Sequence, residues 1–439
     1  MTTSQIIDAI TVILSLIMLI RNIRKATYNS RYVIYLLFFL FYVVPLVLDV
    51  IYMQPGYIRT RYHGFKVSSE DNLTRILYDI FLMYCQILLL QYKKSMLGYI
   101  EHNDEELQIP KFVKYVMIIF ILLPVLVILA KADIRMLYTF QWRENGILSY
   151  TSDAAFAEKL SYAGVLCSIL LISQNTEGIT LEIIIKKILL VVFLYMNICI
   201  QGKRGILFFA IVVYALVLLP GLRDEEIPIK NRVRKLVLFV VVAFLAFGGM
   251  IFMTVFIKIN DRGYDPNNVL ELYTQIRIDF FRDDRVRMAI YSVLYPGKMT
   301  ILKYPGQTIF PIVTWLFPVD YILGAFWGLD MYSYQTYFSA ALQGMTIDRS
   351  AAFMTPCIFA ELISNFEFIG FAVAPLIMIW FSNKANRYGY PMNILVITGF
   401  VLLQMFAIKY LAYCIEAIIL IWYLYNRKWR FTFELGEEL

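Results

Sequence analysis

The sequence predicts an all-α polytopic integral membrane protein, with about eleven transmembrane helices and one large external loop. Three observations predict it. Of the 439 residues, 60% are hydrophobic and only 17% are charged, against roughly 45–50% apolar and about a quarter charged in a typical soluble domain. Mean hydropathy is +0.65. Apolar runs near the length that a bilayer-crossing helix requires recur along the chain. This composition excludes a disordered chain, a disulfide scaffold and an ordinary soluble enzyme.

The elements follow in order. The first run, Ile6 to Ile20, has no basic stretch before it and no small-residue cleavage site after it. It therefore reads as a spanning helix over 4–20 and not as a cleavable signal. Further spans are predicted over 32–53, 76–92, 112–130 and 156–173. The span over 183–200 opens with Lys186 and Lys187, which are placed to snorkel toward a cytosolic interface. Spans over 205–220 and 236–257 complete an N-terminal bundle, residues 1–257.

Residues 258–355 read as a 98-residue external loop with nine Lys/Arg and nine Asp/Glu. Loops this long are usually functional. Inside it, Thr308–Leu329 is apolar but interrupted by Pro311, Pro318 and Asp320. One more span would place the basic tail Arg427–Arg430 outside, so this stretch reads as interfacial or re-entrant. The C-terminal part, 356–439, carries spans over 356–380, 392–408 and 410–425, the last two barely separated by Lys409 and Tyr410.

Orientation follows from Lys/Arg in the loops. With the N-terminus outside, the cytosolic loops hold 18 Lys/Arg and the short external loops hold 10. The net charge of +7 fits this bias, and no basic tail or domain suggests nucleic-acid binding. Cys85, Cys167, Cys199, Cys357 and Cys414 all lie in apolar segments without CxxC spacing, which argues against disulfides and against a zinc site.

Three constellations are candidates for chemistry. The densest is Arg277, Asp279, Arg282, Asp283, Asp284, Arg285 and Arg287. On a helix, Asp279, Arg282, Asp283 and Arg287 share one face. Such a face is either self-paired and solvated, or it offers guanidinium forks to phosphate oxygens. The second is Gln201-Gly202-Lys203-Arg204-Gly205, either a tight turn with interfacial anchors or a basic pair reachable by a ligand. The third begins at Met354-Thr355-Pro356 and includes Glu361 and Asn365, four residues apart on one helix face. Thr355 suits an N-cap and Pro356 a first helical residue. Glu361 would then lie about 8 Å into the helix, either as a structural partner of an arginine or as a base.

Some signals are absent. His63 and His102 both fall in loops, and no Walker A, GxGxxG or HExxH pattern occurs. Glu70-Asp71 reads as a solvated acidic pair. No metal site and no cofactor is predicted.

The stretch Met354–Gly370, with Glu361, Asn365-Phe366 and Gly370, resembles the late motif of Wzy-type repeat-unit polymerases, which make O-antigen, capsule and exopolysaccharide. Their motif continues Asn-Phe-Gly, and here Glu367 stands in place of that glycine. The layout is also similar, with about eleven spans, a Gly/Arg turn and an arginine-rich external loop before the motif.

This resemblance implies a metal-independent glycosyltransferase, GT-C-like and embedded in the bacterial plasma membrane with its site facing outside. Its partners would be undecaprenyl-pyrophosphate-linked oligosaccharide, membrane lipid and a chain-length-regulating co-polymerase. Leaving-group charge calls for fixed cations, for which Lys203, Arg204, Arg277, Arg282, Arg285 and Arg349 are candidates, with Asn365 as a further substrate contact. Glu361 is the first candidate for the base, with Asp283 and Asp284 behind it. Tyr291, Tyr295, Trp315, Trp327, Tyr332 and Tyr334 suit sugar stacking or an interfacial belt. A ligase of the same superfamily and a lipid-linked-oligosaccharide flippase are the alternatives. Ligases of that kind carry a loop histidine, which 258–355 lacks, and flippases have shorter loops.

Overall fold

A computed structural model describes residues 3–25, 30–52, 62–91, 109–131, 134–138, 152–174, 180–201, 204–218, 274, 277–278, 281–301, 334–346, 355–388, 392–405 and 408–426. The predicted span 236–257, the segment Thr308–Leu329, and Asp279, Lys203 and Arg349 lie outside the described residues. So do Trp315, Trp327 and Tyr332.

The described residues are helical, with no strand among them. In chain order the α-helices are α1 (Thr3–Lys25), α2 (Ser30–Phe38), α3 (Val44–Tyr52), α4 (His63–Glu70), α5 (Asn72–Gln91), α6 (Lys111–Lys131) and α7 (Ser152–Ile172). They continue with α8 (Leu181–Gln201), α9 (Arg204–Leu218), α10 (Asp283–Leu294), α11 (Tyr334–Gln343), α12 (Ile358–Asn386), α13 (Met392–Met405) and α14 (Ile408–Asn426). Six described stretches are long and apolar enough to cross a membrane: Thr3–Arg21, Ser30–Ile51, Asn72–Gln91, Lys111–Ala130, Leu181–Gln201 and Ile358–Asn386. Gly205–Val217, Met392–Met405 and Cys414–Tyr425 are apolar but shorter. The chain is therefore an all-α membrane protein.

Local chemistry explains one irregularity that matters for the site. A π-helical turn, Phe39–Val43, joins α2 to α3 immediately before Pro45. Proline has no N–H to give the carbonyl four residues back, and a π-turn is a usual way to absorb the mismatch. The carbonyl that Pro45 leaves open belongs to Phe41. It accepts the backbone N–H of Arg282 at 3.0 Å. The helical irregularity is thus also an anchor for the start of α10.

Two compact units are present. One comprises Met1–Asn103, Leu207–Gly389 and Val396–Ala412, and the other Asp104–Ile206, Tyr390–Leu395 and Tyr413–Leu439. The division differs from the three sequence segments 1–257, 258–355 and 356–439, because α10 and α11 pack on α4, α5 and α12 inside the first unit. That unit contains an aromatic cluster of Tyr62, Phe65, Met288, Tyr291, Tyr334 and Phe338. The second unit is built on α6, α7 and α8. There Asn197 Nδ2 donates to Ile121 O (3.1 Å), and its side chain lies where a Cβ on Gly164 would sit.

The five cysteines are free and buried.

Candidate functional site

α10 is polar, with Asp283 and Asp284 in its first turn, yet every residue from Asp283 to Ser292 is buried. It starts at Asp283, and Arg282 is the N-cap with φ −130° and ψ 0°. This corrects the expected helical face. Arg282 stands before the helix, because its N–H is spent on Phe41 O, and so it does not share a face with Arg287. Nor is the face solvated.

Arg277 is 0% exposed. Both its terminal nitrogens grip Asp49 of α3, Nη2 to Oδ2 at 2.8 Å, in the bidentate geometry that makes guanidinium–carboxylate pairs strong. It also pairs with Asp283, and its Nε lies 3.2 Å from Asp284 Oδ1. Arg287 reaches the same Asp49 (Nη1–Oδ2, 3.2 Å) and lies over the Tyr78 ring at 4.7 Å. Three carboxylates and two guanidiniums therefore form one buried cluster. Burial pushes the Asp283 carboxyl up to about 7, against the opposing pull of Arg277.

The other two arginines are held by carbonyls. Arg282 donates to Gln404 O (3.1 Å), Phe281 O (2.7 Å) and Met405 O (3.4 Å). Arg285 donates to Ile278 O (2.7 Å), Phe281 O (3.0 Å) and Thr355 O (3.2 Å), with its guanidinium over Phe65 at 5.4 Å. These donors anchor chain ends. Arg282 ties the start of α10 to the end of α13, and Arg285 ties α10 to the residues just before α12.

α12 starts at Ile358 with Cys357 as an extended N-cap. This corrects the expected Thr355 cap and Pro356 first residue, since the Thr355 carbonyl serves Arg285 and Cys357 is still extended. Glu361 is then about 4.5 Å into the helix at 1.5 Å per residue. It is 2% exposed. Asn365 is buried as well and donates through Nδ2 to Glu361 O at 2.7 Å. Tyr334 of α11 reaches the same turn, its hydroxyl 3.2 Å from Ala360 O and 2.8 Å from Ser364 Oγ. Burial raises the Tyr334 hydroxyl well above the usual range. Tyr291 and Tyr295 pack on one another at 4.8 Å.

The helix breaks directly after this turn. Glu367 has φ 51° and ψ −128°, backbone that only glycine adopts freely. A Cβ built on Gly370 would meet Leu362 O at 2.0 Å, so the chain beyond the break folds tightly over the turn that carries Glu361.

Of the candidates named from sequence, Arg277, Arg282, Arg285, Asp283 and Asp284 come together around α10, and Arg285 touches the segment that leads to Glu361 and Asn365. Arg204 opens α9, and Lys203 and Arg349 lie outside the described residues. Asp49 was missed by the sequence reading, as were Arg75, Asp79 and Asp8. All but Arg75 are carboxylates inside apolar runs, the signal that should have flagged them. No group of three or more His, Cys, Asp or Glu suited to a metal occurs among the described residues. Comparison with known proteins finds no matching family model, no matching curated protein and no matching solved structure.

Proposed function

We propose that the chain is a membrane-embedded glycosyltransferase that polymerises undecaprenyl-pyrophosphate-linked oligosaccharide repeat units at the outer face of a bacterial plasma membrane. In this reading it spans the bilayer about eleven times. The observation that carries the proposal is the hydrogen bond from Arg285 to Thr355 O. It joins the arginine-rich segment to the late motif, two features 70 residues apart that the resemblance assigns to one site.

The chemistry is a displacement at an anomeric carbon. The acceptor hydroxyl attacks, the new glycosidic bond forms, and the bond to lipid pyrophosphate breaks. Glu361 takes the hydroxyl proton, with Asn365 beside it as a substrate contact. The sugar–pyrophosphate bond supplies the energy, so no nucleotide enters. Cations stabilise the departing charge. The hydrogen bonds of Arg277, Arg282 and Arg285 to protein acceptors support a scaffold role for those three. Contact with pyrophosphate then falls to Arg349, which shortly precedes the late motif in sequence.

One observation favours a flippase as the second reading. Asp8 and Asp79 are carboxylates within membrane-length helices, and such groups mark ion-coupled pathways. Reconstituting the purified protein in vesicles with lipid-linked repeat unit and no nucleotide separates the two. A ladder of products supports the polymerase. Outward movement of unchanged substrate supports the flippase. Glu361→Gln removes the ladder while leaving the protein folded, and an unchanged ladder rejects Glu361 as the base.

A further inference from the structure

α1 and α5 pack side by side along a polar seam. Moving along both helices in the same direction, Ser4 Oγ donates to Asn72 Oδ1 (2.7 Å), Arg75 pairs with Asp8, and Gln86 Nε2 donates to Ser15 Oγ (2.8 Å). Gln86 also accepts from the Tyr35 hydroxyl of α2 at 3.2 Å. Ser4, Asp8, Thr11 and Ser15 are buried, and Asp79 is 2% exposed. Both helices are long and apolar enough to cross a bilayer.

Asp79 is the member of the seam whose carboxyl oxygens both lack a hydrogen-bond partner. Asp79 follows Arg75, the ion-pair partner of Asp8, by one turn on the same face of α5, and its carboxyl interacts with that of Asp8. Two carboxylates cannot bond to each other, because both only accept. A single proton supplies the missing donor, as in other close carboxyl pairs. The charges lead to the same result. Asp8 and Asp79 bring two negative charges and Arg75 one positive charge. Arg287, the other cation acting on Asp79, is already committed to Asp49 and Asp283. One proton leaves the group neutral.

We propose that Asp8 and Asp79 form an intramembrane proton-binding site that holds one proton between α1 and α5. The groups around it come from several elements. α1 brings Asp8, α5 brings Arg75 and Tyr78, and α10 brings Arg287. Tyr78 donates to Tyr42 O (2.8 Å), and Tyr35 of α2 is bonded to Gln86. Lys66 and Glu70 of α4 pair with each other at 4.0 Å on an exposed surface, and Glu361 of α12 acts on Tyr334. Loss of the proton leaves a second negative charge beside Arg75 and Arg287. Arg287 then has a partner competing with Asp49, so proton occupancy is linked to the anchoring of α10. The site does not depend on the polymerase reading.

Infrared spectroscopy of the full chain in lipid discs at neutral pH tests this, because a protonated carboxyl has a C=O stretch distinct from the carboxylate bands. In the Asp283→Asn background, which removes the other carboxyl that titrates near neutrality, the expected result is one such band that disappears on adding either Asp79→Asn or Asp8→Asn. Persistence of the band in either double variant, or its absence from Asp283→Asn alone, overturns the shared proton. Thermal stability gives a second measurement. The amide of Asp79→Asn donates to Asp8 as the proton would, so this variant keeps its stability at alkaline pH while the wild type loses it. A wild type that matches Asp79→Asn at every pH overturns the proposal.

Discussion

α10 is a short polar helix buried nearly all round, whereas α12 is long and apolar and exposes Phe366, Phe368, Ile369, Leu376 and Trp380. They pack on one another. α10 holds its position through charge, since its arginines and aspartates close on Asp49 of α3 and on backbone carbonyls. α12 holds its shape through backbone, with a break at Glu367 and a close approach at Gly370. The difference teaches where each can be broken. A charge cluster fails when one partner is removed and the others are left buried, while a backbone joint fails when a Cβ is added where none fits.

The largest expected effect is on the charged side. Asp49 is the shared partner of Arg277 and Arg287. Asp49→Ala removes the carboxylate that both buried guanidiniums share and leaves them only Asp283 and Asp284; breaking buried pairs in this way costs about 3–5 kcal/mol. Denaturant unfolding of the protein in detergent measures the loss. A change below about 1 kcal/mol, the range of exposed ion pairs, would mean that the cluster is solvated.

Next is the pH dependence of the same cluster. Asp283 rises from its usual value to about 7 on folding, with burial as the main cause. The folded state therefore holds a proton that the unfolded chain has already released between about pH 4 and pH 7. Stability is present below that window and declines as pH rises through it. Asp283→Asn removes this part of the slope. A melting temperature that rises over the same window contradicts the assignment.

The backbone side comes third. In an ordinary helix, Gly→Ala stabilises by roughly 0.5–1 kcal/mol. At Gly370 the new Cβ meets Leu362 O and the Leu362 carbonyl carbon, at 2.0 and 2.4 Å, and no side chain can move aside to relieve it. Gly370→Ala is expected to destabilise by about 1–3 kcal/mol, as overpacking does. Stabilisation would show that the chain does not fold over this turn.

How much of this was legible in the sequence depends on how local the cause is. Helix positions were readable because apolarity over about 20 residues is a local property. The predicted spans over 76–92, 112–130 and 183–200 correspond to α5, α6 and α8. The density of charge around α10 was readable too. Its burial was not, because Asp49 lies 228 residues from Arg277 and nothing near either residue announces the other. The start of α10 depends on a carbonyl opened by Pro45, again far away in sequence. Asp8, Asp49 and Asp79 were visible as carboxylates inside apolar runs, but averaging hydropathy over a run hides single polar residues. The start of α12 was placed at a plausible cap, and it shifted because the Thr355 carbonyl has a tertiary partner.

Glu367 gives the smallest effect and the sharpest contrast. Its φ of 51° and ψ of −128° lie where a Cβ is crowded, and such strain costs about 1–3 kcal/mol. The side chain is exposed, so little packing is lost on removing it. Glu367→Gly therefore relieves the strain, and the extra freedom of glycine in the unfolded chain returns about 0.5–1 kcal/mol of it. The net expectation is a gain of about 1 kcal/mol, read as a higher melting temperature. Glu367→Ala removes the same charge but keeps a Cβ, so it should give no gain. Equal stabilisation by both variants would assign the effect to the carboxylate and move α12 to the charged side of the comparison. A gain with glycine alone keeps the joint a matter of backbone.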